Sequence, residues 1–195
     1  MPVDRAAIRE ELNIPSNAFV LGHVGRFTFH KNHAFLAEIA RAVAEREPNT
    51  RLLLIGDGPL RGDLERQISE LGLGDKVIFA GIRSDVPRLL LGAMDVFIMP
   101  SVVEGLPLVG IEAQAAGLPI IFSDIITDEA DMIESLIWRL SLSQPASAWA
   151  EAALEARKKT QPLTKGAMIA VAEGKPFNIQ TGLRELIGIY NEELP

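Results

Sequence analysis

At 195 residues, with 48% hydrophobic and 23% charged side chains, the chain has the composition of a globular protein whose core needs no disulfide or metal staple. It contains no cysteine, which removes disulfides, thiolate zinc sites and thiol nucleophiles together and fits a reducing, cytoplasmic setting. A formal net charge of −7 repels phosphate backbones at long range, so nucleic acid is not an expected partner.

The N-terminal stretch, residues 1–13, is charged and lacks the apolar centre of a signal peptide. A first strand is predicted at Phe19–Val24, ending at Gly25. Residues 33–46 carry Phe35, Leu36, Ile39, Ala40 and Val43 at helical spacing. A second strand at 52–55 closes on Gly56-Asp57-Gly58-Pro59, a strong turn signal, and a charged amphipathic helix follows at 60–71 with Gly72 as its stop. Residues 76–80 form a third strand, 86–91 a short helix and 95–99 a fourth strand ended by Pro100. Residues 108–116 read as a helix with Pro107 at its start, where a missing N–H costs nothing, and 119–122 as a fifth strand. The greasy region 86–103 is interrupted by Arg88 and Asp95 and is not expected to span a bilayer. Beyond it, 137–142 is a candidate sixth strand, and helices are predicted at 146–159, 164–173 and 179–193.

Strands alternating with helices over short connections imply an α/β, doubly wound, Rossmann-like parallel sheet of about six strands, with helices on both faces and further helices at the C-terminus. The continuous apolar runs of the second and fourth strands suit positions covered on both sides. The whole of 1–195 is read as a single nucleotide-binding domain. Such sheets bind ligands beyond the carboxyl ends of their strands, which directs attention to Gly25-Arg26, Gly56 to Gly58, Gly81-Ile82 and 101–108.

Two of these segments carry candidate chemistry. In the first, Gly25 allows close backbone approach, the following helix start offers free N–H groups, and Arg26 and Lys31 add two positive charges. That combination suits a diphosphate; the plainer reading is two solvated surface cations. It is neither a dinucleotide glycine fingerprint nor a P-loop. In the second, Glu104 lies in a loop and Glu112 inside the next helix, with Gly105, Leu106, Pro107 and Leu108 between. A carboxylate in a cleft can grip ribose or hexose hydroxyls. The alternative is that Glu104 caps the helix and Glu112 is merely exposed. His23, inside the first strand, reads as a packed core residue, whereas His30 and His33 flank the cationic loop. Trp138 and Trp149 read as packing residues. Scattered histidines without cysteine argue against a metal site.

The series Val24-Gly25-Arg26 with Lys31-Asn32, Leu54 to Pro59, Val77 to Gly81, Asp95 to Ser101, Glu104-Gly105-Leu106-Pro107 through Glu112-Ala113, and Gly117-Leu118-Pro119 resembles the C-terminal domain of group 1 retaining glycosyltransferases of GT-B fold. The run from Glu104 to Pro119 is most similar to the bacterial capsular and exopolysaccharide branch, and the likeness covers roughly residues 15–125, with a weaker echo at 138–152. The resemblance implies a nucleoside-diphosphate-sugar donor, UDP- or GDP-linked, and transfer of its sugar with retention to a hydroxyl. It assigns Arg26 and Lys31 to the diphosphate and leaving group, Glu104 to the donor sugar and Glu112 to the ribose hydroxyls. The backbone from Gly105 to Leu108 would meet sugar and phosphates, and the backbone at Ile82 and its neighbours the base, with Gly25 among the donor-binding residues. It implies no cofactor and no metal, in keeping with the absence of a D-x-D triplet. Where many relatives carry Gly, this chain has Pro107, which removes one backbone donor. The resemblance also implies an N-terminal acceptor domain that this chain does not include, and leaves room for peripheral attachment of the full enzyme at the inner face of a membrane. A dehydrogenase-type nucleotide domain and a non-catalytic binding or scaffold module stand as the rival readings.

Overall fold

The computed structural model describes residues 3–159 and 179–192, and the chain divides into two compact units, residues 1–160 and 161–195. The first unit is built on six parallel strands: β1 (Phe19–Val24), β2 (Thr50–Ile55), β3 (Val77–Gly81), β4 (Val96–Met99), β5 (Ile120–Ser123) and β6 (Ile137–Leu140). Their order in the sheet is β3-β2-β1-β4-β5-β6. The chain therefore builds outward from β1 in one direction, then returns to β1's other side with β4 and continues the opposite way. The reversal between β1 and β4 is the switch point beyond which a doubly wound sheet leaves a crevice.

Alternation along each strand feeds two separate cores. Phe19, Leu21, Leu52, Leu54, Val96, Ile98 and Ile121 face one side, where α2 (His33–Ala44), α3 (Arg61–Glu70) and α6 (Ala146–Lys159) cover them. Val20, Leu53, Ile55, Phe97, Met99, Ile120 and Phe122 face the other, under α1 (Arg5–Glu11), α4 (Val86–Gly92) and α5 (Leu108–Ala115). Strands covered on both faces favour apolar residues throughout, which is why Leu52 to Ile55 in β2 and the whole of β4 read as unbroken runs. Trp149 is fully buried in the first core, with Phe35 packed edge-on at 5.6 Å between ring centroids. Trp138 is half-buried against the same core.

Differences from the sequence reading lie mainly at element ends, where fraying and capping move boundaries by one or two residues. The helix α1 is an addition. Asp4 caps it by accepting from the Ala7 N–H at 3.0 Å, and only Ile8 and Arg9 of its residues are buried. The Arg9 guanidinium reaches under the sheet to the carbonyls of Ser16, Ala18 and Ala93 and to Asp95 Oδ2, at 3.0, 2.9, 3.1 and 2.8 Å. Asp95 Oδ2 in turn accepts from the Val20 N–H at 2.7 Å, so one buried cation joins α1 to the entries of β1 and β4. In the second unit, α7 (Ile179–Glu192) forms as expected, with Leu183, Leu186 and Ile187 about half exposed. The helix predicted at 164–173 lies outside the described residues.

Replacing Arg9 with Met strips Asp95 and three carbonyls of a buried donor. The expected loss of stability is about 3 kcal/mol, read as a lower urea midpoint with an unchanged m-value.

Candidate active site

The loops after β1, β2, β3 and β4 meet at the carboxyl edge of the sheet, and close backbone packing sets their relation. The Gly25 N–H donates to Ile55 O at 3.0 Å, Phe27 N–H to Asp57 O at 3.0 Å and Gly56 N–H to Gly81 O at 2.8 Å. Gly56 has φ +129°, and a Cβ there would lie 2.1 Å from Gly25 O. At Gly58 a Cβ would stand 2.5 Å from Phe27 O. Both positions exclude any side chain, because the obstructing atoms are backbone. Asn32, with φ 54°, turns the chain from the one-turn helix Phe29–Lys31 into α2.

The structure brings Lys31 and Glu104 together. Lys31 Nζ donates to Glu104 Oε1 at 2.5 Å, and Ser101 Oγ donates to the same oxygen at 2.7 Å. A backbone bond runs parallel to this tie, from Val102 N–H to His30 O at 2.8 Å. Glu104 is thus not a cap of α5, whose start at Pro107 has no side-chain hydrogen bond. Pro107 is buried, while Gly105, Leu106 and Leu108 around it are exposed.

Arg26 and Glu112 are both exposed, and neither side chain has a hydrogen-bond or ion-pair partner among the described residues. Neighbouring cations differ. Arg61 is held by Asp57 at 3.4 Å and Glu65 at 2.8 Å, and Arg83 by Asp85 and Glu11, each at 2.8 Å. Arg83's hydrogen bonds to Asp85 and then Glu11 raise its pKa, and those from Arg83 hold Asp85 well below the usual carboxylate range. Their charges are matched by one another, whereas the Arg26 guanidinium is left open among the described residues. It borders a cleft of about 630 Å³ lined also by Gly56, Asp57, Gly58 and Ile82, a size suited to a nucleotide-scale ligand. Ile82 is 84% exposed, a large apolar side chain presented to solvent beside a cation.

Beneath the cationic loop lie two neutral histidines. His23 is buried in β1, with Nδ1 2.8 Å from Ile98 O, and its ring meets that of His33 edge-on at 4.8 Å. Burial pushes His23 down to about 4, opposed by the Ile98 hydrogen bond and assisted by the Lys31 charge. Burial, then His23 and Lys31, pushes His33 to about 3. His33 is therefore a packing residue at the start of α2, and His30 alone of the three is exposed.

The residues read from sequence thus separate into the Lys31–Glu104 pair, the unpaired Arg26 beside Ile82, and Glu112 on the exposed side of α5. The sequence reading did not single out Ser101, although a serine directly after the strand-ending Pro100 is a turn residue whose hydroxyl commonly finds a local partner.

The sequence profile of the family described as "Glycosyl transferases group 1" matches residues 4–162. The chain belongs to the group 1 glycosyl transferase family. Over 97% of its length it is 39% identical to the putative glycosyltransferase EpsF of Bacillus subtilis (strain 168), of which it covers 50%. It is 36% identical, over 63% of its length and 33% of the relative, to the Escherichia coli UDP-Gal:alpha-D-GlcNAc-diphosphoundecaprenol alpha-1,3-galactosyltransferase. Among solved structures, Anabaena Alr3699/HepE in complex with UDP matches with a TM-score of 0.82 at 24% identity, over 98% of this chain and 53% of that one. WaaG, a glycosyltransferase involved in lipopolysaccharide biosynthesis, matches at 0.75 and 22% identity, over 96% and 50%. The six-stranded parallel sheet is thus the fold of these solved neighbours, and the chain spans about half the length of EpsF and HepE.

The two histidines generate a pH dependence. Both are neutral in the folded chain and, once unfolded, take up protons near the ordinary value of 6.5. Their contribution is fully present above that value and is lost as pH falls toward about 4 and about 3. Each should tilt stability by about 1.4 kcal/mol per pH unit across that window. Urea titrations on wild type and His33→Leu between neutral and acid pH should show the variant losing stability less steeply, by about one proton's worth of slope.

Proposed function

We propose that the chain is the donor-binding half of a two-domain GT-B enzyme that transfers a sugar from a nucleoside diphosphate to a hydroxyl, with retention, in polysaccharide or glycoconjugate synthesis. The observation that carries this reading is Arg26, unpaired among the described residues, at the border of a cleft over the carboxyl ends of β1, β2 and β3. In a chain of net charge −7, whose other nearby arginines are neutralised, a guanidinium without a partner suits a dianionic ligand. The complexes of Alr3699/HepE with UDP and with UDP-glucose support a uridine nucleotide over a guanosine one.

In this reading Arg26 and Lys31 hold the diphosphate and stabilise the negative charge that builds on it as the glycosidic bond to phosphate breaks. Fixed cations then do what a divalent ion does elsewhere, so transfer is independent of metal. Glu112 grips the ribose hydroxyls, and Glu104 the donor sugar. The base lies against Ile82, near Gly25 and the turn at Gly56. The Gly105, Leu106 and Leu108 amides serve sugar and phosphates; Pro107 offers no N–H and holds the loop at the start of α5. Lys31 has two claimants, Glu104 and the diphosphate, so a donor draws the ammonium partly away from the carboxylate.

The acceptor side comes from an N-terminal domain outside this chain, supported by relatives about twice its length. Domain closure would exclude water from the leaving group, so this half alone should bind donor and transfer little. Among the described residues no helix is long and apolar enough to cross a membrane. We place the full enzyme in the cytoplasm, with peripheral attachment at the inner face of the membrane where its acceptor is lipid-borne.

Calorimetric titration with UDP, GDP, ADP and NAD should give selective binding of one nucleoside diphosphate, unchanged by chelator. Arg26→Ala and Glu112→Ala should each weaken it about tenfold or more, the loss expected for removing a charge-assisted contact. Binding of NAD alone, or equal affinity in both variants, contradicts the reading.

A further inference from the structure

Glu104 sits on an exposed loop between Val103, which is 57% exposed, and Gly105, yet its carboxylate is held. Both bonds fall on one oxygen: Oε1 accepts from Lys31 Nζ at 2.5 Å and from Ser101 Oγ at 2.7 Å, and Oε2 has no partner among the described residues. The two donors are unlike. Lys31 is a flexible ammonium, 21% exposed, that a diphosphate can recruit. Ser101 is fully buried, directly after β4 and Pro100. Its carbonyl accepts from Ser123 Oγ at 2.7 Å, and Ser123 is itself buried at the end of β5. The next residue, Val102, is bonded to His30 O. The Ser101 hydroxyl is therefore mounted on two strands of the sheet and cannot follow a ligand.

We infer that Ser101 is a positioning residue for Glu104: its hydroxyl fixes Oε1 so that Oε2 meets the donor sugar, and keeps the carboxylate in place when Lys31 turns to the diphosphate. The inference rests on the donor-site reading and adds to it a residue that touches neither nucleotide nor sugar. Its consequence is selective. Loss of the hydroxyl frees the carboxylate and weakens recognition of the sugar, while the diphosphate, held by Arg26 and Lys31, is little affected.

The test compares each diphosphate with its sugar nucleotide, UDP with UDP-glucose and UDP-galactose, GDP with GDP-mannose, by calorimetry on the chain. Thermal unfolding serves as the check on folding. In Ser101→Ala the preference for the sugar nucleotide over its diphosphate should fall about tenfold, the scale of one hydrogen bond to a charged group, with diphosphate affinity kept within about twofold. Ser101→Thr, which retains the hydroxyl, should restore the preference. The double variant Ser101→Ala/Glu104→Ala should match Glu104→Ala alone, because the two residues act as one unit. An unchanged preference in Ser101→Ala overturns the inference, as does equal weakening of both ligands, which marks a purely structural role. Wild type binding a sugar nucleotide no more tightly than its diphosphate also overturns it, while the donor-site reading stands. If no diphosphate binds at all, both fall.

Discussion

β1 and β4 lie side by side at the centre of the sheet, paired in parallel through Leu21 with Val96 and Gly22 with Phe97. Everything at the carboxyl edge depends on that pairing. It places the loop carrying Arg26 and Lys31 against the loop carrying Ser101 and Glu104. The parallel ties Lys31–Glu104 and Val102–His30 then hold the two loops at a fixed separation. At the opposite edge Arg9 and Asp95 brace the same two strands, so the switch point is pinned at both ends.

The electrostatic economy of the cleft follows from that geometry. Arg61 and Arg83 stand near the cleft but are matched by carboxylates, and a matched pair at the surface attracts an added anion weakly. Arg26 is unmatched among the described residues, and Lys31 is matched by a carboxylate that has a second anchor in Ser101. The buried histidines under the loop stay neutral, partly because Lys31 is close, so they add packing without adding charge. The loop thus combines a rigid base with few competing charges, the condition under which fixed cations stabilise a developing phosphate charge best.

The central strands were legible because burial on both faces leaves only apolar residues from Leu52 to Ile55 and from Val96 to Met99, closed by Gly56 and Pro100. The helix α1 was not, because its inward face is little more than Ile8 and an arginine, and Arg9 reads from sequence as solvated until Asp95 and three carbonyls are found around it. Arg26, Lys31 and Glu104 could be chosen by residue type and by their places in loops after strand ends, and Glu112 by its spacing from Glu104 into the next helix. That Lys31 and Glu104 touch could not, since the contact depends on strand order, which local periodicity does not encode. Ser101 lay within the candidate segment but was given no role for the same reason: its hydroxyl matters only once the partner three residues on is known to carry Lys31 as well. His33 read as a helix-start residue flanking the cationic loop and proves to be buried, because α2 begins with that ring turned toward Phe27 and His23.

The central claim is that a nucleoside diphosphate lies across the carboxyl ends of β1 and β4. Its most direct test is backbone amide NMR of the chain titrated with UDP. The account predicts that shifts concentrate at Gly25 to Lys31, Gly56 to Gly58, Gly81-Ile82, Gly105 to Val109 and Glu112, while amides at the sheet's other end, around Arg9 and Asp95, stay in place. Shifts centred away from those loops, or none at saturating nucleotide, would contradict it.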